Sequence, residues 1–127
     1  MEPSALKNRP FRQRLGFALS GIAAAWRGEA SFRSQVGAAA AVFALLLWLR
    51  PPAVWWAVAA LTVGMVLAAE LFNTALERML DRLHPDIHPT VKIAKDCAAA
   101  AVLVLSLAAI AVFAALLVHG WLEVGPG

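Results

Sequence analysis

Residues 53–83 read AVWWAVAALTVGMVLAAELFNTALERMLDRL. The first 17 of them, Ala53 to Ala69, carry no charge. A membrane-crossing helix needs about 20 apolar residues, with a range near 17–25, so this run is long enough to span. Glu70 interrupts it, yet the apolar series resumes and keeps one helix going to Leu83. Such a helix is roughly 45 Å long, against a hydrocarbon core of about 30 Å. Its charged end therefore projects past the membrane. Glu70 falls near the headgroup boundary, and Glu77 and Asp81 fall further out.

Two more apolar runs flank this one. Val36 to Leu49 gives 14 uncharged residues and Cys97 to Val118 gives 22. The shorter run is extended on its N-terminal side by Phe32 to Gln35 and is ended by Arg50-Pro51-Pro52, because proline cannot continue a helix without losing a backbone bond. The expected spans are residues 34–49, 53–83 and 90–121. Before them, Phe11, Leu15, Ala18, Leu19, Ile22, Ala25 and Trp26 recur at three- and four-residue spacing, with Arg12, Arg14, Arg27 and Glu29 mostly elsewhere. That pattern predicts an amphipathic helix over about 11–33, lying on the membrane surface. A cleaved signal peptide is the rival reading, but glycine and serine dilute its apolar segment. The expected fold is an all-α membrane protein: three transmembrane helices plus an N-terminal surface helix, with 1–127 forming one domain.

Composition agrees. The 127 residues are 61% hydrophobic and 15% charged, which excludes a disordered chain, a coiled coil and an ordinary soluble domain with its roughly 25% charge. One cysteine excludes an intrachain disulfide framework and a cysteine-based zinc site. The net charge of +3 is mild, and no nucleic-acid partner is expected. Charge position says more. Residues 1–35 hold six basic side chains (Lys7, Arg9, Arg12, Arg14, Arg27, Arg33), the 50–52 turn one, residues 77–96 four, and the tail after His119 none. This alternation predicts a cytoplasmic N-terminus and an external C-terminus. Trp48, Trp55, Trp56 and Trp121 then fall at the outer interface and Trp26 near the inner one. His119 and Trp121 read as an interface anchor, and Cys97 as a small packing residue.

The polar residues of the second span need an explanation. Asn73, Thr74, Glu77 and Asp81 follow Glu70 at offsets of 3, 4, 7 and 11, which is one helical face. Ionisable groups in a span are rare and usually functional. Glu77 and Asp81 also admit a plainer reading as a solvated helix end beside Arg78 and Arg82. The segment His84-Pro85-Asp86-Ile87-His88-Pro89 makes a turn, with Thr90 as the expected N-cap of the last helix. A hairpin there sets Glu77 level with Asp96 and Lys95 beside it. Pro85 breaks the spacing of His84 and His88, so a histidine metal site is not expected. Small residues, Ala98 to Ala101 on the last helix and Gly37 to Ala41 on the first span, permit close helix approach. Three helices are too few to screen several carboxylates from lipid, so an oligomer is expected.

Carboxylates beside an amide suit Mg²⁺, which prefers oxygen ligands and bridges nucleotide phosphates. Lys95 can meet phosphate as a point charge. A buried carboxylate at headgroup depth can serve as general base on a lipid hydroxyl. There is no Gly-x-x-x-x-Gly-Lys-Ser/Thr loop and no His-Arg-Asp loop. On the residues alone, phosphoryl transfer to a lipid alcohol and a proton or cation pathway both stay open, as does a structural role in helix pairing.

Three blocks carry a more specific signal. They are Glu70-Leu71-Phe72-Asn73-Thr74-Ala75-Leu76-Glu77 followed by Asp81, then Ala94-Lys95-Asp96-Cys97 with Ala98 to Ala101, and Ala24-Ala25-Trp26-Arg27-Gly28-Glu29-Ala30-Ser31-Phe32-Arg33. Together they resemble the prokaryotic integral-membrane diacylglycerol kinase family, over about residues 14–118. The resemblance implies a lipid kinase of the bacterial inner membrane, a homotrimer with sites at subunit boundaries, using Mg-ATP. By motif position it implies Glu70 as general base and Glu29 and Glu77 as metal ligands, with Asn73 supporting them. It implies nucleotide contacts from Phe17, Glu29, Glu77, Lys95 and Asp96 and from the turn residues Asp86, Ile87 and His88. Phe32, Arg33, Glu70 and Ala99 would border the lipid. Phe17 stands where the family has a tyrosine, Gln35 where it has an acid, and Ala98-Ala99 where it has Gly-Ser. These departures also resemble the undecaprenol kinase branch, so the implied acceptor is diacylglycerol first and undecaprenol second.

Overall fold

The computed structural model describes residues 8–125 and builds them from four helices. They are α1 (Phe11–Gly28), α2 (Ala30–Leu49), α3 (Ala53–Leu83) and α4 (Pro89–Val124). The described residues contain no strand, and α2, α3 and α4 are each long and apolar enough to cross a membrane. The expected all-α architecture of three spans and an N-terminal helix is therefore present. Lys7, which entered the charge count, lies outside the described residues.

The helix ends differ from expectation at the junction of α1 and α2 and at both ends of α4, which runs on to Val124 instead of 121. The surface helix stops at Gly28 instead of residue 33, because Glu29 takes an extended conformation with φ −125° and ψ 110°. Gly28 is a poor helix former and offers a natural place to stop. The Glu29 N–H still bonds the Ala25 carbonyl at 2.9 Å, so the break is a one-residue elbow. Residues 30–33 consequently belong to the first span, which gives it 20 residues. The last helix starts at Pro89 and is capped by His88, not by Thr90. His88 Nδ1 accepts the Thr90 N–H at 3.1 Å, and Pro89 sits where a missing N–H costs nothing. At the opposite turn Arg50 adopts a left-handed conformation, φ 47° and ψ 54°, before the two prolines.

α3 packs most extensively on α4 and next on α2. At the tryptophan-rich end Leu46, Ala59 and Leu116 form a small core, covered by Val42, Leu45, Trp55, Trp56 and Phe113. His119 lies against Trp55, with ring centroids 5.4 Å apart, while Trp48 and Trp121 are exposed. A Cβ on Gly120 would come within 3.3 Å of Leu49, so the glycine lets α4 approach α2. Midway along, Gln35 donates a hydrogen bond to Ser106 Oγ at 3.1 Å. At the other end Ala25, Phe32, Glu70 and Thr74 are buried. Cys97 is exposed.

Candidate active site

Glu70 is the only buried ionisable side chain among the described residues, at 3% exposure. It lies where α1, α2 and α3 meet. Ser31 in the first turn of α2 donates its hydroxyl to Glu70 Oε2 at 3.2 Å. The other carboxylate oxygen makes no hydrogen bond among the described residues and keeps its lone pairs for a further donor. Thr74, one turn on, is buried at 7% exposure. Asn73 is half-buried, and its Oδ1 is buried without a hydrogen-bond partner among the described residues. Such an atom calls for a donor or a cation from elsewhere.

Three arginine contacts fix the α1–α2 elbow. Arg33 folds back so that Nη1 donates to the carbonyls of Trp26, at 2.6 Å, and Arg27, at 3.5 Å. These are carbonyls that the end of α1 leaves without helical partners. Arg78 of α3 donates Nη2 to the Ala24 carbonyl at 3.3 Å. A Cβ at Gly28 would collide with that guanidinium, so a residue without a side chain is needed for this approach. Glu29 forms the elbow itself and is half-buried, as is Glu77 next to Arg78.

The far end of the α3–α4 hairpin is wetter. Lys95 bonds Asp81 at 2.5 Å and thereby ties α4 to α3. Asp96 turns to Lys92 on its own helix, at 2.6 Å. Among the described residues no ion pair joins Glu77 to Lys95: Lys95 pairs with Asp81, one turn beyond Glu77, and Asp96 with Lys92. Asp86, Ile87 and His88 are exposed in the turn, and the His88 ring is used as the helix cap. Phe17 is 52% exposed on α1 and Ala99 is exposed on α4. Phe32 is buried beside the elbow, at 3%. Among the described residues no three His, Cys, Asp or Glu side chains converge on one point.

Ser31 and the Gln35–Ser106 pair are polar contacts that spacing alone does not reveal. Their partners lie 39 and 71 residues away in sequence. The only visible signal is a hydroxyl or amide placed at the start, or in the middle, of an apolar helix.

A family model described as prokaryotic diacylglycerol kinase matches residues 16–117. The chain belongs to the prokaryotic diacylglycerol kinase family. Members are lipid kinases, and with three apolar helices this one is a multi-pass membrane protein. It is 39% identical to the diacylglycerol kinase of Synechocystis sp. over 102 residues, which is 80% of this chain and 58% of that protein. It is 31% identical to the Escherichia coli K12 diacylglycerol kinase over 102 residues, 80% of this chain and 84% of that one. The undecaprenol kinase of Bacillus subtilis is 35% identical over 81 residues, 64% of this chain and 66% of that one. The family match takes in Glu29, Glu70, Glu77 and Lys95, and thus the whole site just described.

Proposed function

We propose that this protein transfers the terminal phosphoryl group of Mg-ATP to the hydroxyl of a membrane lipid alcohol, diacylglycerol first, giving phosphatidic acid. Undecaprenol is the second acceptor; the relative named undecaprenol kinase and the departures at Phe17 and Ala98-Ala99 favour keeping it. The observation that carries the reading is Glu70, a carboxylate buried at headgroup depth with one oxygen unbonded.

In this mechanism Glu70 accepts the proton of the lipid hydroxyl as the oxygen attacks the γ-phosphorus, the bond from that phosphorus to the bridging oxygen breaks and ADP leaves, and Ser31 holds the carboxylate in place. Phe32, Arg33 and Ala99 border the lipid. Lys95 leaves Asp81 to meet the nucleotide phosphates, and Asp96, Phe17 and the 86–88 turn complete the nucleotide side. The donor set fits Mg²⁺: Glu29, Glu77 and the unpartnered Asn73 Oδ1 are hard oxygen ligands. Mg²⁺ takes one or two carboxylates and completes its shell with water and phosphate oxygens, so a three-acid cluster is not required. The ion's contribution is to neutralise charge on the phosphates. Catalysis otherwise rests on positioning, as phosphoryl transfer generally does. The protein acts as a homotrimer in the bacterial inner membrane, with its N-terminus cytoplasmic and its C-terminus external.

The test is phosphate transfer by purified protein in mixed micelles, with dioleoylglycerol and undecaprenol compared, and with Mg²⁺ present or chelated. Mg²⁺-dependent transfer to dioleoylglycerol is expected. Transfer to undecaprenol alone would move the protein to the second reading. Transfer to neither, by a folded oligomer, would overturn both and favour an ion pathway.

A further inference from the structure

An apolar groove of about 340 Å³ opens between α2, α3 and α4. Its walls include Val42, Val66, Ile110 and Phe113, and two polar side chains, Gln35 and Ser106, stand among them. Register places this groove relative to the site. Ser31 of α2 is bonded to Glu70 of α3, and Gln35 and Val66 lie one turn further into the membrane on those helices, about 6 Å. Val42 and Phe113 lie two turns deeper still, about 10 Å. The groove thus begins one turn beneath the Glu70 carboxylate and runs toward the membrane centre.

A polar pair in a hydrocarbon-facing groove is costly unless its hydrogen-bonding groups are used. The pair uses one: Gln35 Nε2 donates to Ser106 Oγ at 3.1 Å. Gln35 keeps its second N–H, and Ser106 keeps its O–H. Neither makes another bond among the described residues, and both residues are only half-buried. Two spare donors beside an apolar slot suit a carbonyl oxygen attached to a hydrocarbon chain. A lipid whose hydroxyl sits at Glu70 brings an ester carbonyl to this depth when the ester is on the neighbouring glycerol carbon.

We propose that Gln35 and Ser106 read an ester carbonyl of the lipid acceptor, with the groove holding the first part of its acyl chain. The pair is then a specificity determinant for diacylglycerol over a polyprenol, which has no carbonyl and leaves both donors unpaired. A site built to hydrogen-bond a group discriminates against the analogue that lacks it. This inference rests on the lipid-kinase reading above and names the acceptor class for the same site.

The experiment compares kcat/KM for dioleoylglycerol, its dialkyl ether analogue and undecaprenol, in wild type, Gln35→Leu and Ser106→Ala, with the oligomer's mass measured for each. Ester and ether share glycerol and chains and differ in the carbonyls. Wild type is expected to favour the ester by about tenfold, the scale of one well-placed hydrogen bond. Either variant should bring that ratio close to one; Ser106→Ala is small enough to keep the fold if Gln35→Leu does not. Equal wild-type rates on ester and ether would overturn this proposal and leave the kinase reading standing. An unchanged ratio in both variants would do the same. So would equal losses on both lipids with an altered oligomer mass, which would make the groove a contact between copies. A wild type that phosphorylates none of the three would overturn the kinase reading and this proposal with it.

Discussion

Removing a carboxylate from water costs several kcal/mol after relaxation. Glu70 is held at 3% exposure with one hydrogen bond, from Ser31. A hydrogen bond to a charged group is worth about 1.5–3 kcal/mol, so Ser31 offsets only part of that cost. The residue is therefore poorly explained as a stabilising element and well explained as a reactive one. In the proposed mechanism Ser31 positions it without touching the reacting atoms. We expect Ser31→Ala to lower kcat about three- to tenfold with little change in KM for Mg-ATP, and Ser31→Thr to restore most of the loss. Glu77→Gln should act on the other substrate, weakening Mg-ATP and Mg²⁺ binding in titration while leaving the helices folded. Glu70 was legible in the sequence because a charge interrupts an apolar run. Ser31 was not, because its importance exists only through a partner 39 residues away.

The number of helices followed from the apolar runs and the proline turns, since membrane length and the missing proline N–H leave few choices. Their ends were less legible. The apolar pattern continues through Ala25, Trp26 and Phe32, so nothing in periodicity marks the elbow at Glu29. The elbow depends on Arg33 and Arg78 gripping the end of α1 from two other helices' positions. Two glycines test this account. Gly120→Val should force α4 from Leu49 and lower stability by about 1–3 kcal/mol, read as a reduced unfolding midpoint in detergent. Gly28→Ala meets only the mobile tip of Arg78, so the fold should persist while the Arg78–Ala24 bond is lost. Between α3 and α4, the Lys95–Asp81 pair is exposed enough to contribute little stability, under about 1 kcal/mol. Lys95→Ala should accordingly raise KM for Mg-ATP about tenfold with a nearly unchanged unfolding midpoint.

Seen as one chain, the protein buries little. Apolar side chains such as Phe72, at 78% exposure, and Ile110, at 64%, stand outside the helix contacts. Lipid covers part of this surface, and the small-residue faces of α2 and α4 invite other helices. The trimer was implied by family resemblance and not by any spacing in the sequence. A single chain gives no pattern that counts copies. Crosslinking in mild detergent should give trimers at saturating reagent; monomers throughout would remove the proposed sites at subunit boundaries. Asp86, Ile87 and His88, proposed for the nucleotide side, stand exposed at the hairpin tip.

The central claim, that Glu70 is the base in lipid phosphorylation, is tested most directly by the turnover of Glu70→Gln. The variant keeps the shape and a hydrogen-bond acceptor for Ser31 but cannot take a proton. With dioleoylglycerol and Mg-ATP, kcat should fall about 10²- to 10⁴-fold while oligomer mass and unfolding midpoint stay at wild-type values. A folded Glu70→Gln protein that turned over at the wild-type rate would contradict the assignment.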